Sequence, residues 1–502
     1  MRALHTALLL LSIWITTSTV AQNRYSLNHP SGQVDRTVPL DLGGGQSCYA
    51  SMINYTSGDS SHVELLWTTA NQQVTNARSH RLNTLMSYML DAARMNDGFL
   101  VCGSSDAAPP FLLKTDPNGD VQWHIGFPGL SFSQDRLASV IAEGGTFRAY
   151  SAPLSIANGF HRIAGDSAGG MITGVTVSVQ ATTGFTAFGA TAVNGGDIVF
   201  GHGVVGADPD NRRMFVTKMD SSGAQWLKLF DMDGASGYNE YVRDTEALAD
   251  GGTLVVGHAA DGGIGANGFV MKLDPAGGLL WCRKYMDTSG ALALTGAMEL
   301  PGGDLLVAGL KDLVTPLVVL RLSPSGSIIA QEQLPIGFPQ PEDFFRNDQG
   351  GLALMEKDML MELDATGSGC GFVGNTSIAD AVHFPSITDV AVTNSTFVPG
   401  TITLLHDDRP PVLSWIPECL STGIAQPAEP VLTVQPNPTE GIVWIGTPGQ
   451  VASQERFAMI DAFGREVSSG SYGEGIDLRS LVPGAYTCWL LDRDVRVRMI
   501  RR

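Results

Sequence analysis

Charge is scarce in this chain and one-sided. Charged residues make up 16% of 502, and 50 acids against 31 Lys and Arg leave a formal charge of −19. Binding a phosphate backbone requires clustered cations, so nucleic acid is excluded as a partner. An acidic solvated surface is the plain reading of the excess. Long apolar runs are missing after the first twenty or so residues, so no transmembrane segment is expected in the mature chain. Apolar residues at helical spacing are missing too, and no convincing helix exceeds a few turns. Catalytic signatures are equally absent, with no HExxH, no G-x-S-x-G elbow and no GxxxxGK[ST]. Gly-rich stretches such as 262–268 precede no helix, which removes a dinucleotide site. No catalytic residue, metal or cofactor is assigned.

What the chain has is glycine, 59 residues of it, and turn signals between short β-rich segments. The stretch from Glu246 to Tyr285, EALADGGTLVVGHAADGGIGANGFVMKLDPAGGLLWCRKY, reads as four antiparallel strands. Asp250, Gly251 and Gly252 suit a tight hairpin, Phe269 to Leu273 alternate with period two, and Asp274 to Gly277 reverse the chain again. Degenerate copies run from near residue 34 to near 373. The last glycine of the first turn recurs at Gly45, Gly98, Gly145, Gly196, Gly252, Gly303 and Gly351, at a period near fifty residues. Four strands at that period predict a β-propeller. The expected fold is all-β, a seven-bladed propeller of four-stranded blades followed by a small C-terminal β-sandwich. The DPNGD segment at 116–120 shares its turn pattern with the other units, which makes it a hairpin rather than half a calcium loop.

Faces follow from strand order. Both Asp/Gly turns lie at one end of each unit, so the long, variable connections, 203–213 and 259–268 among them, share the other. Function on a rigid scaffold concentrates on such loops. His202 and His258 occupy one repeat position in adjacent units and could approach each other; Asp208 and Asp210 lie nearby. Paired imidazoles can bind metal or exchange protons. The preferred reading is plainer: solvated loop residues, at a position held elsewhere by Ser51, Ser104 and Ser151. Trp67, Trp123, Trp226 and Trp281 are read as blade packing rather than a sugar platform. Cys48, Cys102 and Cys282 fall in strands as small buried hydrophobes, and Cys488 stands alone in the last domain. Cys370 and Cys419 bracket a Pro-punctuated connector and form the candidate disulfide.

The domain plan is a secretory signal peptide at 1–21, the repeats at 22–373, a β-rich connector and linker at 374–429, and a terminal domain at 430–502. The repeats resemble the DGG-containing propeller repeats of secreted Bacteroidetes proteins, in the pattern DGG, apolar strand, Gly, then LxKLDxxGxxxW. That likeness implies a fold and secretion. The terminal domain resembles the type A C-terminal sorting domain of the Bacteroidetes type IX secretion system. The matching residues are Pro436, Asn437, Pro438 and Gly441, then Asp461 and Gly464, then Leu481, Gly484 and Tyr486. The family often ends in Lys, whereas this chain ends on Arg496, Arg498, Arg501 and Arg502. The resemblance implies passage through the periplasm, engagement of the outer-membrane translocon, and release or anchoring at the cell surface. The cargo is expected to be a non-enzymatic module for adhesion or for binding a glycan or a protein, with a secreted polysaccharide-active hydrolase or lyase, its site on the long-loop face, as the alternative.

Overall fold

The computed structural model describes residues 23–420 except for connecting segments, among them 206–211, 233–238, 261–265, 335–342 and 370–371. Beyond 420 it describes 433–435, 442–446, 455–461, 465–472, 476–490 and 495–501. The chain divides into two compact units, Met1–Ser421 and Thr422–Arg502. Every described element is a strand or turn, and no described helix is long and apolar enough to cross a membrane.

The first unit holds seven antiparallel sheets in a repeating, propeller-like arrangement. Numbered in chain order, sheets 1 to 7 begin with the innermost strands Gly32–Asp41, Ser87–Met95, Asp135–Glu143, Thr182–Val193, Glu240–Ala247, Leu292–Glu299 and Asp343–Arg346; in sheet 5, Thr253–Ala260, Ala266–Leu273 and Leu279–Asp287 follow outward. Innermost strands touch one another in succession, and that of sheet 1, Gly32–Asp41, also touches the inner strands of sheet 7. Apolar cores lie between neighbouring sheets. Val256, Val270, Leu294 and Val318 join sheets 5 and 6, and Tyr25, Tyr49, Met355 and Leu360 join sheet 7 to sheet 1.

The repeat motif acquires a physical account in these sheets. The Asp of the second turn accepts backbone N–H groups, as in an Asx turn. Asp274 takes Ala276 at 2.8 Å and Gly278 at 2.7 Å, and Asp116 takes Asn118 at 2.8 Å and Asp120 at 2.9 Å. The third unit has the same bond, from Gly170 N to Asp166 at 2.9 Å. The cation of LxKLD reaches the acid of the first turn: Lys114 to Asp97 at 3.2 Å, Arg321 to Asp304 at 2.7 Å, and Lys272 to Asp250. The tryptophan packs forward onto the next sheet. A Cβ on Gly119 would lie 2.5 Å from Trp67, on Gly169 3.2 Å from Trp123, and on Gly326 2.7 Å from Trp281. These turn glycines have φ of 88°, 73° and 82°, so conformation and contact both require glycine there. Tryptophan as blade packing is borne out.

Two features depart from the expected plan. Each sheet has five strands rather than four, because the connector residues 373–420 supply one further strand to each. They run back past the seven sheets in reverse order as a belt. Val373–Gly374 pairs with sheet 6, Ile378–Val382 with 5, Ser386–Asp389 with 4 and Val392–Phe397 with 3. Ile402–Thr403 then pairs with sheet 2, His406–Arg409 with 1 and Ser414–Leu420 with 7. Sheet 7 takes its fourth strand from the start of the chain, where Asn23–Asn28 pairs with Met359–Leu363, which is why the seventh repeat reads as abbreviated. Short belt strands cover long outer edges that would otherwise template aggregation.

Innermost strands carry a β-bulge at one recurrent position. The register skips at Phe188 in sheet 4, Arg243 in sheet 5 and Thr295 in sheet 6. The residue after the bulge often laces one sheet to the next. Asp91 accepts Ser139 Oγ at 2.7 Å and Val140 N at 2.9 Å, and Asp244 accepts Ala297 N at 2.9 Å.

The second unit has a sheet of Thr433–Gln435, Ile442–Gly446 and Ile476–Asp477. A second sheet is ordered Glu466–Tyr472, Glu455–Ile460, Gly484–Leu490 and Val495–Arg501.

Candidate functional site

His202 and His258 are strand residues, not solvated loop residues. Their strands, Gly196–Val205 and Thr253–Ala260, run past the glycine at which the sequence pattern ends them. The side chains are only 9% and 7% exposed, and Ser51, Ser104 and Ser151 at the same position are buried too. The position is an enclosed one near the end of each second strand, which corrects the expectation drawn from the glycine-rich sequence around it.

The structure does bring the two imidazoles into one cluster, but through a third ring. Tyr241 is the cross-strand partner of His258 and stacks on it, with centroids 5.1 Å apart and planes at 30°. From the neighbouring sheet His202 meets the same tyrosine edge-on at 6.0 Å. Phe188 closes the row, edge-on to His202 at 4.8 Å. Two guanidiniums join this aromatic row. Arg243 lies over the Tyr241 ring at 5.3 Å, and Arg212 Nη1 donates to the Tyr241 hydroxyl at 3.3 Å.

Electrostatically the cluster is one-signed. Burial pushes His202 down to about 4, helped by the charges of Arg212 and Arg243. His258 falls to about 3 through burial and Arg243. Both rings are therefore neutral at neutral pH, and each keeps an enclosed Nδ1 without a hydrogen-bond partner among the described residues; Arg212 Nε is likewise without one there. Desolvation also lowers the Arg243 pKa: the side chain keeps solvent contact but is crowded by protein. Arg213, beside them in sequence, is paired with Asp231 at 3.1 Å and Glu240 at 3.5 Å. Arg212 and Arg243 have no such carboxylate among the described residues. Neutral, depressed imidazoles bordered by cations do not work as an acid and base pair near neutral pH. The set is suited to holding an anion and an apolar ring.

Other candidates fall elsewhere. Asp208, Asp210, Cys370, Pro436, Asn437, Pro438, Gly441 and Gly464 lie outside the described residues. Cys419 is described by its backbone, opposite Arg24, and not by its side chain. Cys48, Cys102, Cys282 and Cys488 are free and buried. Of the terminal motifs, Asp461 accepts a bidentate pair from Arg465 at 2.8 and 2.9 Å. The Tyr486 hydroxyl donates to Val482 O at 2.6 Å. Among the described residues no group of three or more His, Cys, Asp or Glu side chains is arranged to hold a metal.

Sequence reasoning missed Phe188, Tyr241, Arg212 and Arg243. A bulge re-aims a side chain, but only the paired register reveals it, so nothing in the pattern marked Phe188 or Arg243. It also missed a cleft of about 390 Å³ at the opposite, turn end, between sheets 1 and 2, lined by Trp67, Asn76, Arg94, Asn96 and Asn118 among others.

No known family profile matches the chain, and no curated protein matches it. Solved structures share the general form at low similarity. A prolyl endopeptidase has 11% identity over 73% of this chain with a TM-score of 0.41. The chain spans half the length of that protein. A protein of unknown function from Dyadobacter fermentans has 9% identity over 68% of this chain and 97% of its own, with a TM-score of 0.39. An apocarotenoid oxygenase of Synechocystis has 16% identity over 61% and 62% of the two chains, with a TM-score of 0.28. At these scores the likeness carries no argument about activity.

Proposed function

We propose that the chain is a secreted or cell-surface cargo of the type IX secretion system: a closed seven-bladed β-propeller that binds a glycan or protein at its long-loop end. Residues 1–21 act as its signal peptide, and the terminal unit, a small β-sandwich, is the sorting domain that engages the translocon. The Phe188, His202, Tyr241 and His258 row with its two arginines carries the binding reading, because it gathers contact chemistry from adjacent sheets at one end. Export is supported by the order of the three terminal motifs in the sequence.

A glycan and polysaccharide screen on residues 22–424, with and without chelator, tests the binding. Saturable binding without turnover is expected, and chelator-sensitive turnover of a polysaccharide would replace the reading with the hydrolase or lyase alternative. Export is tested by removing 430–502, after which the propeller should remain in the periplasm. Undiminished export would overturn the sorting role.

A further inference from the structure

The cations of the loop-end cluster narrow the ligand class, on the premise that this cluster is the binding site. We infer that it takes an acidic sugar, a pyranose ring bearing a carboxylate or a sulfate ester.

Three observations converge on that chemistry. First, Phe188 and Arg243 are the bulge residues of adjacent innermost strands, Thr182–Val193 and Glu240–Ala247. These strands touch one another, so the two side chains are presented at equivalent positions of neighbouring sheets. Phe188 is 38% exposed, an aromatic surface of the kind that packs against the C–H face of a sugar. Arg243 also reaches solvent and supplies a planar fork of donors that fits an oxyanion.

Second, the local charge opposes the global one. The protein as a whole carries −19, yet Arg212 and Arg243 lack a carboxylate partner among the described residues, and both depress the pKa of His202. An exposed Arg243 guanidinium with no carboxylate partner among the described residues is open to an oxyanion from outside. Arg213, one residue away, has that completion internally in Asp231 and Glu240.

Third, the imidazoles between the aromatic and cationic ends are 91% or more enclosed by relative exposure, and an Nδ1 of each is unpartnered. Buried polar atoms of folded proteins are ordinarily satisfied. Two such atoms in one row leave hydrogen-bonding capacity beside the aromatic and cationic groups that the described residues do not use. Tyr241 ties the row together, stacked on His258 and under Arg243.

The test uses the mature full chain and three trisaccharide probes by titration calorimetry: trigalacturonate, its methyl ester, and a sulfated galactose trisaccharide. Trigalacturonate or the sulfated sugar is expected to bind, and which of the two does so identifies the oxyanion. The methyl ester should bind at least tenfold more weakly. Arg243→Gln should weaken the acidic probe by tenfold or more and flatten its salt dependence, with Arg243→Lys intermediate. Phe188→Ala should weaken the intact sugar while leaving competition by inorganic sulfate unchanged. Thermal melts confirm that both variants fold, since each side chain reaches solvent. Equal affinity for acid and ester, with loss on Phe188→Ala, overturns the acidic class and leaves the binding reading standing. Unchanged affinity in Arg243→Gln also overturns it. Absence of binding to all three probes and to every glycan in the wider screen overturns both.

Discussion

Three imidazoles, His80, His124 and His406, meet where the belt crosses sheets 1 and 2, and His124 is expected to make the protein sensitive to acid. His124, in the fourth strand of sheet 2, is 2% exposed, and its carbonyl accepts Leu404 N of the belt at 2.8 Å. Its ring lies edge-on to Phe111 at 5.4 Å and 6.1 Å from His406 of the belt. Neither ring nitrogen has a hydrogen bond of ordinary geometry. Burial, then the charge of His406, pushes its pKa down to about 4 from 6.5, and the nearby Leu405 backbone offsets only part of that. His80, whose charge also lowers the His124 pKa, is hydrogen-bonded to Asp408 of the belt at 2.9 Å and to Gly119 O at 2.7 Å. A depressed imidazole means the unfolded chain binds the proton first. Its contribution is therefore intact above pH 6.5 and lost as pH falls from 6.5 toward about 4. Between about pH 7.5 and pH 4.5 the linkage relation gives a loss of about 2 to 3 kcal/mol from this residue alone. His124→Leu, similar in volume and without a titrating group, removes that share. Urea unfolding at the two pH values should show a pH-dependent loss smaller by about 2 to 3 kcal/mol in the variant than in the parent. Protection factors for hydrogen exchange of 402–409, corrected for the intrinsic pH dependence, should fall more on acidification in the parent than in the variant. Equal losses in both proteins would refute the assignment.

Other perturbations test the remaining architecture. Gly257→Ala would place a Cβ 1.9 Å from the carbonyl oxygen of Tyr241. The innermost strand must then shift, and the urea midpoint should fall by an amount equivalent to about 1 to 3 kcal/mol. Asn394 of the belt donates to Ala224 O at 3.1 Å and accepts its N–H at 3.0 Å. It lies where a Cβ on Gly223 would come within 2.3 Å of it, so Asn394→Ala should cost about 1 to 2 kcal/mol by the same measurement. Burial raises Cys48 and Cys102 and pushes Cys282 and Cys488 up to about 12. Peptide-mapped iodoacetamide labelling at mildly alkaline pH should leave all four unmodified until denaturant is added. Labelling of native Cys282 would contradict its burial.

The seven sheets were legible because their turns are written in residue chemistry. Asp274 accepts local N–H groups, Gly326 alone tolerates its backbone and the tryptophan above it, and Lys114 answers Asp97. Each of these interactions joins fixed offsets within a repeat or between one repeat and the next, so the spacing survives in the chain as a pattern. The apolar second and third strands were legible for the same reason, since period-two alternation is local.

The belt was not legible, although its strands are β-rich. Pairing of Asp380 with Tyr285, or of Asp408 with His80, joins residues a hundred to three hundred positions apart, and an edge strand with one exposed side imposes little pattern on its own sequence. Nor could the loop-end site be read. His202 and His258 were marked by their shared repeat position, but Tyr241, Phe188 and Arg243 converge on them only through β-bulges and the juxtaposition of two sheets. Local turn and strand chemistry determined the repeating units; packing between sheets decided which side chains meet, because that meeting depends on register and on the contact of neighbouring sheets, which no single repeat contains.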